Sequence, residues 1–403
     1  MNNNKIKIYC VFFDTMPLVK EIIQFAEFNK MQLLLQIGNC FTISSLISMF
    51  TAKMPSDLLD RGIGNRYLRR YRNEEDKLIY VPWHEEYVTT KLSKHGWYIH
   101  IHNFPPLLCH IRGDTYTDSF NEGYEQRYSL SKSNYKKKKK LNRMDSFMGK
   151  MLFCDNEKLY GWYNREYDFI RSIQDSNNNF NIFYFIEYEH WHSFHSYYKV
   201  KREKVIDKTK IKPKAIKKII DLMSQWDVNE PNSFFWFFSD HGDPSDITSI
   251  PNAKGYMSWV LVKDNTKNSI KSKSKIISIK DFLPTIFKKN NCDYKTTKES
   301  IPIDAIDDKN RIFFVEDARV KINKTESTSF VACTVVEWEE NYPVKILQVA
   351  YFKVKNRFEY GLNLLSNNGI FKKYIKMEKE NIKYKETFIL LKRKLQDRFK
   401  YVP

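Results

Sequence analysis

The sequence lacks the long hydrophobic runs that mark membrane and secreted proteins. None of its apolar stretches approaches the roughly 20 residues that span a bilayer, although the chain has 403 residues. Its first residues, MNNNKIKIYCVFFD, lead from a polar segment directly into an apolar one, without the layout of a secretory signal peptide. We therefore expect no membrane span, and a protein that is cytoplasmic or released without a classical signal.

Cysteine is scarce, and no two cysteines form a CxxC pair. Buried, reduced thiols are therefore favoured over disulfides or a zinc site, which stay as the alternatives. The six cysteines are Cys10, Cys40, Cys109, Cys154, Cys292 and Cys333.

Positive charge, in contrast, is abundant, with a formal net charge of +19. This balance favours anionic partners: phosphorylated or sulfated substrates, nucleic acid or membrane surfaces. The run Lys136–Lys140 is either a solvated loop or a site for a polyanion. No nucleic-acid recognition motif occurs and the aromatic residues lie in apparent core strands, so we expect no specific nucleic-acid partner.

Hydrophobic patterning predicts an α/β fold with a mostly parallel central sheet flanked by helices over residues 1–300. Apolar runs that alternate with amphipathic stretches are typical of parallel strands covered on both faces. The predicted strands are Lys5–Phe13, Trp97–His102, Phe180–Tyr188, Phe234–Phe238 and Met257–Val262, and Met31–Ile37 is either a further strand or the end of a helix. The predicted helices are Leu18–Phe28, Phe41–Phe50, Lys214–Trp226 and Lys280–Lys288.

The pattern changes in the last quarter of the chain. Residues 311–360 contain strand patterns without helices between them, which predicts antiparallel pairing. A helix around Glu378–Phe399 follows. We therefore predict a smaller antiparallel α+β subdomain over residues 301–403.

Two predicted strands end in acidic residues. Phe13 is followed by Asp14, and Phe238 is followed by Ser239 and then by Asp240-His241-Gly242. Functional groups of parallel α/β sheets gather at the carboxyl ends of the strands. An Asp-His pair there offers oxygen and nitrogen to a divalent metal, and glycine lets the backbone turn sharply. The alternative is an ordinary strand-end turn with a capping aspartate.

Thr42 stands at the start of a predicted helix, with Ser45 three residues later. A helix N-cap accounts for a threonine at this place. The functional alternative is a nucleophilic hydroxyl, because a helix N-terminus favours a phosphate or sulfate group and a metal on the same oxygen lowers its pKa.

Three histidines follow the strand that ends near Tyr188, in the stretch EYEHWHSFH. They are His190, His192 and His195, and Glu187 precedes them. Such residues bind zinc or manganese, or donate to an anionic oxygen, while structural histidines are the alternative.

The order of these motifs resembles the alkaline phosphatase superfamily, in its sulfatase-like branch. That family has an acid after the first strand, a nucleophile at a helix start, a central histidine, a late Asp-His-Gly and then a DxxPT helix. This chain has DFLPT at residues 281–285, and LSKHGWYIHIHN at residues 92–103 looks like the family's LxxxGYxT segment. The resemblance covers residues 5–290.

Carried over to this chain, the resemblance implies a metal held by Asp14, Thr42, Asp240 and His241. Thr42 is then the nucleophile, and His195 contacts the substrate or a second metal, with His192 as its substitute. The same resemblance makes His190, His192, Glu187 and Lys254 candidates for a second metal or for substrate contact. A surface position is the alternative for Lys254.

The chain departs from the formylglycine sulfatases. Their nucleophile is Cys or Ser followed by Pro and Arg, whereas Thr42 is followed by Ser44 and Leu46 at those places. The resemblance therefore implies a metal-dependent hydrolase or transferase of phosphate or sulfate esters, with phosphoesters favoured. The divalent metal is zinc, manganese, magnesium or calcium, and the substrate is an anionic ester of a glycan, a lipid or a small molecule. The alternative is a catalytically degenerate relative that binds anionic glycans or other polyanions.

Overall fold

The computed structural model describes residues 5–40, 42–54, 57, 88–102, 167–176, 181–188, 208–242, 252–306, 310–317, 330–340, 342–352, 355–400 and 402–403. These residues form a seven-stranded sheet and a five-stranded sheet.

The larger sheet has the strand order β3-β4-β1-β5-β6-β2-β7. Its strands are β1 (Lys7–Phe13), β2 (Gln32–Ile37), β3 (Tyr98–His102), β4 (Ile182–Tyr188), β5 (Ser233–Phe238), β6 (Met257–Asp264) and β7 (Ile276–Ser278). β1 pairs in parallel with both β4 and β5, whereas β6 runs antiparallel to its neighbours β5 and β2. The sheet is therefore mixed and mostly parallel, as predicted.

Helices cover both faces of this sheet. The helices of the chain's described part are α1 (Lys20–Phe28), α2 (Thr42–Thr51), α3 (Val88–Lys94), α4 (residues 167–175), α5 (Lys208–Met223), α6 (Ala253–Tyr256), α7 (Phe282–Lys289) and α8 (Lys385–Arg398), with short 3₁₀ turns at Ile279–Asp281 and Ile303–Ala305. Residues of α2, α3 and α7 pack on one face, and residues of α1, α4 and α5 pack on the other. None of these helices combines the length and the hydrophobicity that a membrane crossing requires.

Aromatic side chains fill the central strands because those strands are buried on both faces. Every residue of β5 is buried. Phe238 stacks on Phe12 of β1 on one face, with ring centroids 5.0 Å apart, and Phe235 stacks on Tyr9 on the other, at 4.9 Å. This packing fixes the two strands whose ends carry Asp14 and Asp240.

The smaller sheet is antiparallel, with the order β12-β11-β10-β9-β8. Its strands are β8 (Ile312–Asp317), β9 (Phe330–Glu339), β10 (Tyr342–Phe352), β11 (Arg357–Leu365) and β12 (Phe371–Met377). One face packs under α8, through Phe388, Leu391 and Leu395. The opposite face shares a hydrophobic cluster with β2 and β7 of the larger sheet. The antiparallel pairing was predicted; the division into units at residue 300 stays a prediction.

Two strands lie entirely outside the predicted ones, and a third, β11, extends past the predicted strand region that ends at residue 360. β7 has three residues, and β12 is an edge strand that carries three exposed lysines, Lys372, Lys373 and Lys376. The predicted helix at Lys214–Trp226 begins at Lys208 in the structure. The run Lys136–Lys140 lies outside the described residues.

Candidate functional site

Four side chains meet at the carboxyl edge of the larger sheet. Asp14 directly follows β1, and Asp240 and His241 follow β5. Thr42 is the first residue of α2, which begins shortly after β2 ends. Because β1, β2 and β5 run in the same direction, their ends deliver these residues to one place.

The distances at this place are short. One ligand atom from each of Asp14, Asp240 and His241 lies within 4.8 Å of the other two. The Thr42 hydroxyl donates to Asp14 Oδ1 over 3.2 Å and lies 3.3 Å from His241 Nε2. Asp14, Asp240 and His241 are buried, whereas Thr42 is partly exposed. Thr42 is therefore the most exposed of the four residues.

Hydrogen bonding assigns the tautomer of His241. Its Nδ1 lies 2.7 Å from the carbonyl oxygen of Gly242, which can only accept, so Nδ1 carries the proton. In the neutral ring Nε2 is then an acceptor. This nitrogen faces the Thr42 hydroxyl and lies 3.2 Å from Asp240 Oδ2.

The two carboxylate oxygens of Asp240 have different surroundings. Oδ1 accepts from the backbone N–H of Thr15 at 3.1 Å. Oδ2 is buried and has no hydrogen-bond partner among the described residues, although His241 Nε2 is near it. Leaving a carboxylate oxygen buried without a donor is costly.

The side-chain atoms that converge here suit the binding of a divalent cation. Asp14 Oδ1, Asp240 Oδ2 and His241 Nε2 are acceptors, and Asp240 Oδ2 is buried without a hydrogen-bond partner among the described residues. A cation can bind several such converging lone pairs at once. Carboxylate oxygen and imidazole nitrogen are common ligands of zinc and manganese, and oxygen suits magnesium and calcium.

Gly242 lets the Asp240–His241 turn pack against α6. Its N–H donates to the carbonyl of Gly255 at 3.1 Å. A Cβ at this position would lie 1.8 Å from the carbonyl oxygen of Lys254. Only glycine fits so close an approach of two backbone segments.

Thr15 is a site residue that the sequence did not predict. It adopts φ 55°, a left-handed conformation that β-branched residues rarely take. The conformation places its N–H on Asp240 Oδ1. Its position next to Asp14 is the only hint in the sequence, since the bond spans 225 residues.

The structure does not place the remaining predicted site residues in this cluster, and most of them lie outside the part of the chain that it describes. Lys254 is a half-buried residue of α6, and its backbone carbonyl packs on Gly242. Glu187 belongs to β4 opposite Phe12, and its side chain lies outside the described part. His190, His192 and His195 also lie outside the described residues.

Comparison with known proteins gave a clear result only at the level of structure. No family model and no curated protein matches the sequence. The crystal structure of Ps i-CgsB in complex with k-i-k-neocarrahexaose matches with a TM-score of 0.50 at 12% identity, over 98% of this chain and 92% of that one. A putative sulfatase from Bacteroides thetaiotaomicron VPI-5482 matches at 0.49 and 10% identity, over 98% and 91%. A protein in the alkaline phosphatase superfamily from Vibrio parahaemolyticus matches at 0.47 and 9% identity, over 99% and 89%.

The chain has an alkaline-phosphatase-like fold. The predicted fold class and the predicted resemblance are confirmed. The smaller antiparallel sheet of this chain lies beside the larger one. The likeness concerns the fold, so the reaction has to be argued from this chain's own residues.

Proposed function

We propose that this chain is a metal-dependent hydrolase or transferase of phosphate esters, with Thr42 as its nucleophile. The convergence of Asp14, Thr42, Asp240 and His241 carries the proposal, because it joins the hydroxyl of a partly exposed threonine to a buried set of acceptors. The buried Asp240 Oδ2, without a hydrogen-bond donor in the described residues, is the strongest single support for a cation at this place.

Asp14, Asp240 and His241 would hold the cation. When bound, a divalent cation supplies positive charge that stabilises the developing negative charge on the ester oxygens. A ligand set with two carboxylates and one imidazole favours zinc or manganese over calcium, which prefers oxygen alone.

The Thr42 hydroxyl donates to Asp14 Oδ1 at 3.2 Å, so this oxygen is the acceptor for its proton, whereas the Nε2 lone pair of His241, 3.3 Å away, would be used by the cation. As this proton passes to Asp14, the Thr42 oxygen forms a bond to phosphorus, the bond from phosphorus to the leaving alcohol breaks, and that alcohol takes up a proton from water. Water or a second alcohol then releases the phosphoryl group from Thr42. The start of α2, a helix of ten residues, adds the positive end of a helix dipole, which favours an anion.

Phosphate esters are favoured over sulfate esters because the residue at the helix start is a threonine. The hydroxyl attacks directly, and the chain lacks the Pro and Arg that accompany formylglycine. The match at TM-score 0.50 is in complex with k-i-k-neocarrahexaose, which supports including saccharide esters among the substrates to be tested. We further propose His195, or His192 in its place, as a substrate or second-metal contact, together with His190, Glu187 and Lys254.

The test uses Thr42→Ala and Thr42→Ser beside the unchanged protein, on an aryl phosphodiester, an aryl phosphomonoester and an aryl sulfate. We expect Thr42→Ala to lose at least about 1,000-fold in kcat, and Thr42→Ser to retain most of it because serine keeps the hydroxyl. Elemental analysis of the purified protein should find a stoichiometric divalent cation that is lost in Asp240→Ala.

Full turnover in Thr42→Ala would refute the nucleophile assignment. A protein that holds no cation and turns over none of the three esters, yet binds heparin, would instead support the catalytically degenerate polyanion binder.

A further inference from the structure

Asn39 joins the start of α2 to the smaller sheet. It is buried, and its Oδ1 accepts from the backbone N–H of Glu316 in β8 at 2.8 Å. Its Nδ2 donates to the Ser44 carbonyl at 2.9 Å and to Ser48 Oγ at 3.0 Å, both in α2. One amide group therefore fixes the first turns of the helix that begins with Thr42 to a strand of the other sheet.

Asn363 makes a similar connection from the opposite direction. It is a buried residue of β11, and its Oδ1 accepts from the backbone N–H of Ala253 at 2.8 Å. Its Nδ2 donates within the smaller sheet, to Gln348 Oε1 at 3.1 Å and to the Ile346 carbonyl at 3.2 Å. The Tyr256 hydroxyl also donates to Gln348 Oε1, at 2.7 Å. Both ends of α6 are thus tied to the smaller sheet.

The contact made by Asn363 leads directly to the Asp240–His241 turn. α6 begins at Ala253, and its Gly255 carbonyl accepts from Gly242 N–H at 3.1 Å. The Gly242 carbonyl in turn accepts from His241 Nδ1 at 2.7 Å. A shift of α6 therefore moves the imidazole that faces Thr42.

We propose that Asn39 and Asn363 are positioning residues through which the smaller sheet sets the two halves of the site separately: Asn39 places Thr42, and Asn363 places the Asp240–His241 turn. This inference rests on the proposed function for the roles of those two halves. The two asparagines contact different segments: the side chain of Asn39 bonds to Ser44, Ser48 and Glu316, whereas that of Asn363 bonds to Ala253, Ile346, Gln348 and Tyr256.

Because both amides are buried, their loss would shift the segments that carry Thr42 and His241. Water does not replace a hydrogen bond in a filled core, so each deleted amide leaves backbone groups unsatisfied and lets its segment shift. A misplacement of about 1 Å costs on the order of 100-fold in rate. Loss of a residue that orients a metal ligand costs about 10–100-fold in metal affinity.

The experiment compares Asn39→Ala, Asn363→Ala and the unchanged protein in two assays. The first is kcat on the aryl phosphodiester at saturating Mn²⁺. The second is the Kd of Mn²⁺ alone and of Zn²⁺ alone, measured by calorimetry on metal-free protein. We expect Asn39→Ala to lower kcat by about 100-fold while it changes the cation Kd by less than about threefold, and Asn363→Ala to raise the cation Kd by about 10-fold or more with a smaller effect on kcat.

Amide hydrogen exchange of the metal-free proteins gives a readout that needs no activity. Asn39→Ala should speed exchange in peptides that cover residues 42–48, and Asn363→Ala should speed it in peptides that cover residues 252–257. Asn265→Ala is the matched control, because Asn265 donates to the Val228 and Glu230 carbonyls near the opposite end of β5. It should lower thermal stability without moving either site readout.

The aspartate variants keep the inference testable if the alanine variants fold poorly. Asn363→Asp keeps an oxygen for Ala253 N–H, so it should restore cation affinity relative to Asn363→Ala. Asn39→Asp loses the N–H groups that hold Ser44 and Ser48, so it should not restore kcat.

The inference would be overturned if both alanine variants changed kcat, the cation Kd and the exchange of both regions to the same extent. It would also be overturned if either variant sped exchange only in the region assigned to the other asparagine. An unchanged protein that binds no cation and has no turnover would refute the proposed function. In that case the exchange pattern would still decide whether each asparagine fixes its own segment.

Discussion

Replacing Gly242 by alanine is the sharpest perturbation that the structure offers to the Asp240–His241 turn. The new Cβ would lie 1.8 Å from Lys254 O, 2.8 Å from Lys254 C and 2.8 Å from Met257 O. All three atoms belong to the backbone, so no side-chain rotation relieves the contact. Gly242 does not have positive φ, so the requirement is for space and not for a left-handed conformation.

The size of the effect follows from these distances. Real Cβ contacts essentially never fall under 3.0 Å, so the turn and α6 have to separate by about 1.2 Å before the alanine is tolerated. That displacement breaks the Gly242 N–H bond to Gly255, now 3.1 Å long, and carries His241 with it. Overpacking of this kind costs about 1–3 kcal/mol of stability, and a ligand moved by about 1 Å loses on the order of 100-fold in rate.

The assays are calorimetric binding of Mn²⁺, kcat on the aryl phosphodiester, and urea unfolding. Gly96→Ala is the control, because its Cβ would meet nothing within 4 Å although its φ is +78°. We expect Gly96→Ala to lose about 1 kcal/mol of stability through backbone strain alone, without any change in cation affinity. Gly242→Ala should lose stability and at least about tenfold in cation affinity.

A Gly242→Ala protein that binds Mn²⁺ as tightly as the unchanged chain, and turns over at the same rate, would refute the reasoning. It would mean that the turn carrying His241 does not depend on its close approach to α6.

Two further predictions concern stability. Arg311→Ala should lower the free energy of unfolding by about 3–5 kcal/mol, measured by urea unfolding. The reason is that Asp281 stays buried without the guanidinium that now donates to it at 2.5 and 2.7 Å. Arg357→Ala, which removes a more exposed arginine, is the control and should lower the free energy of unfolding by less. Burial raises the pKa of the Tyr256 phenol well above its ordinary value of 10.0, so its contribution to stability is complete below pH 10.0 and is lost as the pH rises toward the folded-state value. Thermal unfolding from pH 8 to 11 should therefore show a smaller loss above pH 10 in Tyr256→Phe than in the unchanged chain, and an identical loss would contradict this interpretation.

The central strands could be predicted from the sequence because burial on both faces leaves a clear pattern. Tyr9 and Phe235 belong to continuous apolar runs, and such runs are typical of covered parallel strands. The reversed direction of β6 could not be predicted, since its residues Met257–Val262 are equally apolar in either direction. β12 was missed because an edge strand pairs on one side only, and its exposed lysines look like a solvated segment.

The candidate site was partly predictable for a related reason. Asp14 and Asp240 stand where strands end, and the geometry of parallel sheets brings strand ends together. Thr15, Asn39 and Asn363 carry no such local pattern, because their partners lie 225, 277 and 110 residues away. A buried amide is recognisable only once the fold has placed its partner.

The reversed strand β6 acts as a spacer in the larger sheet. It lies between β5, which carries His241, and β2, which leads to Thr42, so these two strands are about 9–10 Å apart. The side chains bridge this gap to within 3.3 Å. A relative with a wider or narrower gap between the attacking hydroxyl and the imidazole would therefore differ in β6 or in α6, which leads into β6. It would not have to differ at the positions of Thr42 and His241.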